Sequence, residues 1–195
     1  MIYVYLILSC VAFGVIHSVT ASQWFKRDIA EKAKLAHRYY RLIYNALAIL
    51  TFLPVLLVYR ITPLTYMSSW QGAPVVGKLV IGLGLIISIR ALGGYDLAEF
   101  LGWPVESKSS ASQTLQQSGL LRYVRHPLYS GILLSLLGVW MDRPTWSHLI
   151  LLLTASLYIR IGIHFEERKL VATFGDAYQH YRQRVPMLLP RLLGH

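Results

Sequence analysis

The stretch Leu42-Ile43-Tyr44-Asn45-Ala46-Leu47-Ala48-Ile49-Leu50-Thr51-Phe52-Leu53-Pro54-Val55-Leu56-Leu57-Val58-Tyr59 carries no charged side chain from end to end. As a helix it rises about 27 Å, close to the roughly 30 Å of a bilayer's hydrocarbon core. Four further apolar runs flank it: Ile2–Ser18, Val75–Leu92, Leu128–Met141 and Pro144–Ile163. The run Leu128–Met141 is short for a span, and its flanks Arg125 and Asp142 would have to snorkel. The pattern predicts an all-α, polytopic integral membrane protein, a single membrane domain over 1–195 with about five transmembrane helices.

Composition agrees. Hydrophobic residues make up 55% of the 195 residues and charged residues 14%, against about 25% charged in an average soluble domain. That balance argues against a soluble enzyme and against disorder. The net charge of +10 is a topology signal and not a nucleic-acid surface, because the basic residues flank the apolar runs. With the N-terminus outside, sixteen of the nineteen Lys and Arg fall on the inner side, and only Arg60, Lys78 and Arg143 outside. The expected orientation is therefore N-terminus out and C-terminus cytoplasmic, in the inner membrane of a bacterial or archaeal cell. Val19-Thr20-Ala21 faintly resembles a signal-peptide cleavage site, but no basic region precedes Ile2–Ile16, and Lys26, Arg27, Lys32 and Lys34 follow. A retained first helix is expected. The lone Cys10 excludes an internal disulfide.

Two inner segments are too long to be plain connectors. One, from about Gly93 to Arg125, contains a Ser/Gln-rich stretch at Ser107–Ser118 that reads as a flexible loop. The other is the tail from His164, helical over 164–183 and then halted by Pro186 and Pro190. Gly72-Ala73-Pro74-Val75-Val76-Gly77-Lys78 approaches a P-loop, but Leu79 stands where Ser or Thr must hold magnesium. Gly82-Leu83-Gly84 reads as close helix packing. No HExxH-type spacing and no GxSxG elbow is present, so neither a metal nor acyl-transfer chemistry is expected.

The chemistry gathers in two clusters: Arg122-Tyr123-Val124-Arg125-His126-Pro127-Leu128-Tyr129-Ser130-Gly131 and His164-Phe165-Glu166-Glu167-Arg168-Lys169-Leu170. Each alone could be a solvated or interfacial helix end. The topology places both at the inner ends of two consecutive helices joined by a tight turn, so Arg125 and His126 should neighbour Glu166 and Glu167. Arg160, His164 and Glu167 stand at i, i+4, i+7, one helical face, and ionisable residues so close to a membrane are functional candidates. Glu166 lies about 100° away, so the two carboxylates should do different work. Such a pocket suits a zwitterionic small molecule from the water side and a lipophilic partner from the membrane.

At these residues the chain resembles the membrane methyltransferases related to isoprenylcysteine carboxyl methyltransferase and the phospholipid methyltransferases. The resemblance is carried by Arg125-His126-Pro127-Leu128-Tyr129-Ser130-Gly131, by Glu166-Glu167, and by Phe174-Gly175-Asp176-Ala177-Tyr178 with Tyr181, Val185-Pro186 and Pro190. His17-Ser18 and Tyr40-Arg41-Leu42-Ile43-Tyr44-Asn45 are similar to NnrU-type proteins and methanethiol S-methyltransferases, and Tyr95-Asp96-Leu97 is similar to the latter. The resemblance implies S-adenosylmethionine as methyl donor, a cofactor-binding core at 119–190, and a lipophilic or small thiol, carboxyl or amine acceptor. It carries Arg125, His126, Pro127, Tyr129, Gly131, Glu166, Glu167, Leu170 and Tyr181 over as cofactor-binding residues, with Arg125 and Glu167 also catalytic. Arg125 suits a carboxylate bidentately, and Arg125 or Arg160 would favour a thiolate. Asp96 or Glu99 would shape the acceptor side. The rival reading is an NnrU-like, non-catalytic accessory protein in nitrogen-oxide metabolism. A transporter ranks last, since the spans hold few ionisable residues.

Overall fold

The computed structural model describes residues 1–22, 24–27, 37–67, 71–94 and 114–191. Among them, helices follow one another without a strand: α1 (Ile2–Ala21), α2 (His37–Ile61), α3 (Ala73–Leu92), α4 (Pro127–Asp142), α5 (Trp146–Phe174) and α6 (Asp176–Arg184). A single 3-10 turn, Gly119–Arg122, precedes α4. Four helices, α1, α2, α3 and α5, are long and apolar enough to cross a membrane, and α4 is a shorter apolar helix of 16 residues. Large apolar side chains such as Leu57, Leu79, Ile89 and Leu157 are exposed along these helices, as lipid-facing residues must be.

The 29 residues of α5 span about 43 Å, more than a hydrocarbon core. The excess is its last stretch, where Glu166, Glu167, Arg168 and Lys169 follow the apolar run. The tail is therefore not a separate helix from residue 164. The fifth span continues without a break to Phe174, because nothing between 163 and 174 interrupts helical hydrogen bonding. The break comes at Gly175, whose φ of +55° and ψ of −130° are open to glycine and costly for other residues. There the chain turns, and α6 packs against α5 and reaches the segment that leads into α4, where Tyr181 donates to the Leu121 carbonyl.

The α3–α4 pair is the tightest contact. Gly77 and Gly84 on α3 meet Gly138 and Gly131 on α4, each pair seven residues apart. A Cβ on Gly131 would stand 2.7 Å from the Gly84 carbonyl oxygen, and one on Gly138 2.6 Å from the Ile81 nitrogen. Backbones this close let the short helix bury against its neighbour, which membrane helices achieve with small residues because lipid offers no hydrophobic drive. Gly84 thus packs as its sequence suggested, whereas a Cβ on Gly82 would meet nothing within 4 Å.

α1 packs against α2 and α5. Tyr40 donates to the Thr20 carbonyl at 2.5 Å, and the Tyr44 hydroxyl meets His17 Nε2. At the other end, the α4–α5 turn is pinned to the α2–α3 connection by Met67 N–H on the Pro144 carbonyl at 2.7 Å. There His148 bridges the Tyr59 hydroxyl and the Arg143 carbonyl, both at 2.7 Å. Thr145 caps α5 by accepting from the His148 N–H.

Gly131→Ala should cost roughly 1–3 kcal/mol through backbone overpacking, whereas Gly82→Ala should change stability by less than about 0.5 kcal/mol. Thermal unfolding of the two variants in detergent checks this; equal midpoints would contradict the packing described.

Candidate functional site

The functional end of the bundle is built where α4 begins. Pro127 occupies the first helical turn and lacks the N–H that would be orphaned there. Two N–H groups just before it are taken up by the strand-like segment after α6: Arg125 donates to Pro186 at 2.9 Å and His126 to Met187 at 3.1 Å. Ser130 Oγ adds a hydrogen bond to the Leu188 carbonyl at 2.7 Å. Residues 185–188 thus form a strap across the start of α4, and the paired prolines after α6 mark its course.

Arg125 ties strap and helices together. Its Nε and Nη2 both lie 2.7 Å from Glu167 Oε1 on α5. Its Nη1 donates to the Val185 carbonyl at 2.6 Å and the Arg182 carbonyl at 3.1 Å. Three hydrogen bonds and one further ion-pair contact thereby commit it to protein acceptors, so the guanidinium is not the open carboxylate clamp that the sequence suggested. Glu167 is itself 8% exposed and also accepts from His126 Nε2 at 3.2 Å. Arg182 approaches its second oxygen at 4.0 Å.

In front of this pair lies a cavity of about 720 Å³, with Arg125, His126, Tyr129, Glu166, Leu170 and Tyr181 in its wall. The sequence-derived residues therefore separate into groups. His126, Tyr129, Glu166, Leu170 and Tyr181 face the cavity with Arg125. Glu167 stands behind them. Pro127 is buried at the helix start, and Gly131 faces Gly84 and Ser88 of α3, so neither belongs to the lining. Arg160 and His164 are exposed, while Ile159, Ile163 and Glu167 are the buried face of α5. The stripe that matters is i, i+4, i+8, and the grouping of Arg160 and His164 with Glu167 does not hold. Asp96, Glu99 and residues 107–113 of the Ser/Gln-rich stretch lie outside the described residues.

Sequence reasoning missed several lining residues: Thr114, Leu115, Gln116, Leu121, Leu128, Phe174 and Tyr178. Tyr178 is 1% exposed, and its buried hydroxyl makes no hydrogen bond among the described residues. Burial, followed by the nearby Glu167 charge, pushes its phenol far above the ordinary range, so it stays a donor. Tyr181 is likewise raised by burial, and its hydroxyl donates to the Leu121 carbonyl at 2.7 Å. The spacing of Tyr178 and Tyr181, one helical turn, was the available signal.

A neutral apolar wall, a carboxylate, an imidazole and phenols at one end of a membrane bundle suit a polar small molecule meeting a lipophilic or small partner. Relatives bear on what that chemistry is. Methanethiol S-methyltransferase 2 of Bradyrhizobium diazoefficiens is 34% identical over 190 residues, 93% of this chain and 71% of that protein. Methanethiol S-methyltransferase of Pseudomonas deceptionensis is 42% identical over 73 residues, covering 37% of this chain and 27% of the relative. Protein-S-isoprenylcysteine O-methyltransferase of Schizosaccharomyces pombe is 33% identical over 116 residues, 59% of this chain and 48% of the relative. No solved structure matches. By fold and kinship this is an integral membrane methyltransferase. The family model described as NnrU protein matches residues 5–193, and the chain belongs to that family. With enzymes among its relatives, the non-catalytic accessory reading is the less supported.

Arg125→Lys removes the fork that joins Glu167 to the strap, at a cost of roughly 1–3 kcal/mol. Hydrogen exchange measured by mass spectrometry should then speed up at the amides of 125–126. Unchanged exchange there would refute the strap's dependence on Arg125.

Proposed function

We propose that the protein transfers the methyl group of S-adenosylmethionine to a small thiol, at a bundle end that faces the cytosol in a prokaryotic inner membrane. The observation that carries this reading is the cavity in front of the Arg125–Glu167 pair, which gathers three separated sequence motifs into one wall. The orientation rests on the excess of Lys and Arg at that end. A thiol acceptor is favoured because the relative covering 93% of the chain is named for methanethiol, whereas the prenylcysteine relative covers 59%.

The residues present fit the donor. The cavity volume of about 720 Å³ lies within the roughly 300–1,000 Å³ of small-molecule sites. Glu166, about two-fifths exposed at its side chain, makes no ion pair shorter than its 3.9 Å approach to His126 among the described residues, and suits an ammonium or ribose hydroxyls. The buried Tyr178 hydroxyl, beside Glu167, is a phenol donor without a hydrogen-bond partner of full geometry among the described residues. Leu121, Leu170 and Phe174 offer an apolar slot for a purine. Bound S-adenosylmethionine would supply a methyl group on a sulfonium, which needs alignment and dryness more than acid–base catalysis. The protein's part is to orient: the strap holds the start of α4, and Arg125 holds Glu167 and the strap. Tyr129 and His126 stack at 5.8 Å to keep one wall rigid.

Isothermal titration of the detergent-solubilised protein with S-adenosylhomocysteine tests the reading. Micromolar-range binding is expected, with Glu166→Gln weakening it about 10-fold, the loss of one charge-assisted hydrogen bond. A well-folded protein that gives no binding heat would overturn it.

A further inference from the structure

We propose that His126 is the proton acceptor for the S–H bond of the methyl acceptor, with Nδ1 the basic atom and Glu167 the positioning residue that keeps it so. This deepens, and rests on, the thiol reading above. Glu167 Oε1 also accepts from Arg125 Nε–H at 2.7 Å and stands 2.7 Å from its Nη2 in an ion pair, which marks it as an ionised, acceptor-only carboxylate. His126 Nε2, at 3.2 Å from the same oxygen, must therefore carry a proton. In the neutral ring the lone pair then belongs to Nδ1. The ring itself is 4% exposed at its side chain, lines the cavity and is stacked on Tyr129. Its backbone N–H is tied to Met187, so the ring is held in place.

Titratable and charged groups flank the imidazole from three elements. From α5 come Glu167, whose charge Arg125 offsets, and Glu166, whose Oε2 lies 3.9 Å from Nδ1. From α6 come Tyr178, Tyr181 and Arg182, the last directed at Glu167 Oε2 at 4.0 Å. From α4 and its approach come Tyr129 and Arg125. Glu166 is thus the carboxylate beside Nδ1, and its partial exposure gives a proton a route to water.

The need is chemical. A cysteine thiol ionises near pH 8.5 and a simple alkanethiol higher still, so very little of the acceptor is thiolate at neutral pH and a base is needed. In the step, the S–H proton passes to Nδ1 and the sulfur electron pair forms the new S–CH₃ bond. The bond from methyl to the donor's sulfonium breaks, and its electron pair returns to that sulfur, leaving a neutral thioether. The imidazolium then releases its proton past Glu166 to water. A lone histidine need not be catalytic; here the fixed tautomer and the cavity wall make it so.

The test compares ethanethiol with ethaneselenol, an acceptor already ionised at neutral pH, on wild type and His126→Gln with S-adenosylmethionine. For wild type, kcat/KM for the thiol should rise with pH and level off well below the thiol's own ionisation, a limb that the selenol lacks. His126→Gln should lose that limb and lower the thiol-to-selenol ratio of kcat/KM about 100-fold at neutral pH, with S-adenosylhomocysteine still bound. Thiol and selenol rates falling together, or a large loss of S-adenosylhomocysteine affinity, would make His126 a donor ligand and overturn the proposal. Should the variant fail to fold, the wild-type comparison decides: a limb shared by both acceptors, or absent from both, overturns it. A wild type that binds S-adenosylhomocysteine but methylates neither acceptor refutes the thiol reading, and one that binds none refutes the donor reading.

Discussion

The buried pair Arg125–Glu167 is the contact on which the functional end depends. Its side chains are 7% and 10% exposed. Removing two charges from water is unfavourable unless the remaining hydrogen-bonding capacity is satisfied. Here it largely is: Arg125 also serves two carbonyls of the tail, and Glu167 also serves His126. The pair joins three chain segments that are far apart in sequence, namely the start of α4, the overhang of α5 and the strap after α6. Among the described residues, the strap's other hydrogen bonds to the start of α4 are two backbone bonds and one from Ser130.

The membrane portion works by a different rule. α4 is too short to span comfortably by itself, and lipid gives it no hydrophobic reason to leave the bilayer or to bind a neighbour. Glycines on α3 and α4 remove the side chains between the two backbones, so dispersion contacts accumulate at close range. This sets the height at which α4 begins, and therefore the depth of His126 and Tyr129 relative to the lipid boundary. The same close packing leaves Gly131 no room to touch a ligand, although it sits in the motif with residues that line the cavity.

Much of this was legible in the chain. The apolar runs marked every long helix, with ends shifted by a few residues except in α5, which runs on from Ile163 to Phe174. Pro127, Gly175 and Pro186 punctuated the functional end where the structure bends. Juxtaposition of Arg125 and His126 with Glu166 and Glu167 followed from two antiparallel helices joined by a short turn. The roles within that cluster did not follow. Spacing alone grouped Glu167 with Arg160 and His164, yet α5 is rotated so that Ile159 and Ile163 share its buried face. Tyr178 was visible only as part of a pattern, because its importance lies in a buried hydroxyl without a partner.

The sequence by itself determined the number and placement of the apolar helices, the bias of positive charge to one side, and the meeting of the two clusters at one end. These are local or near-local properties, set by hydropathy along each run and by short connections. Only the tertiary structure decided which carboxylate stands behind the wall and which faces the cavity, and that Arg125 is occupied by the tail. Those outcomes depend on the rotation of α5 and on a strap contributed some 60 residues after the helix start it covers, and no local pattern encodes either.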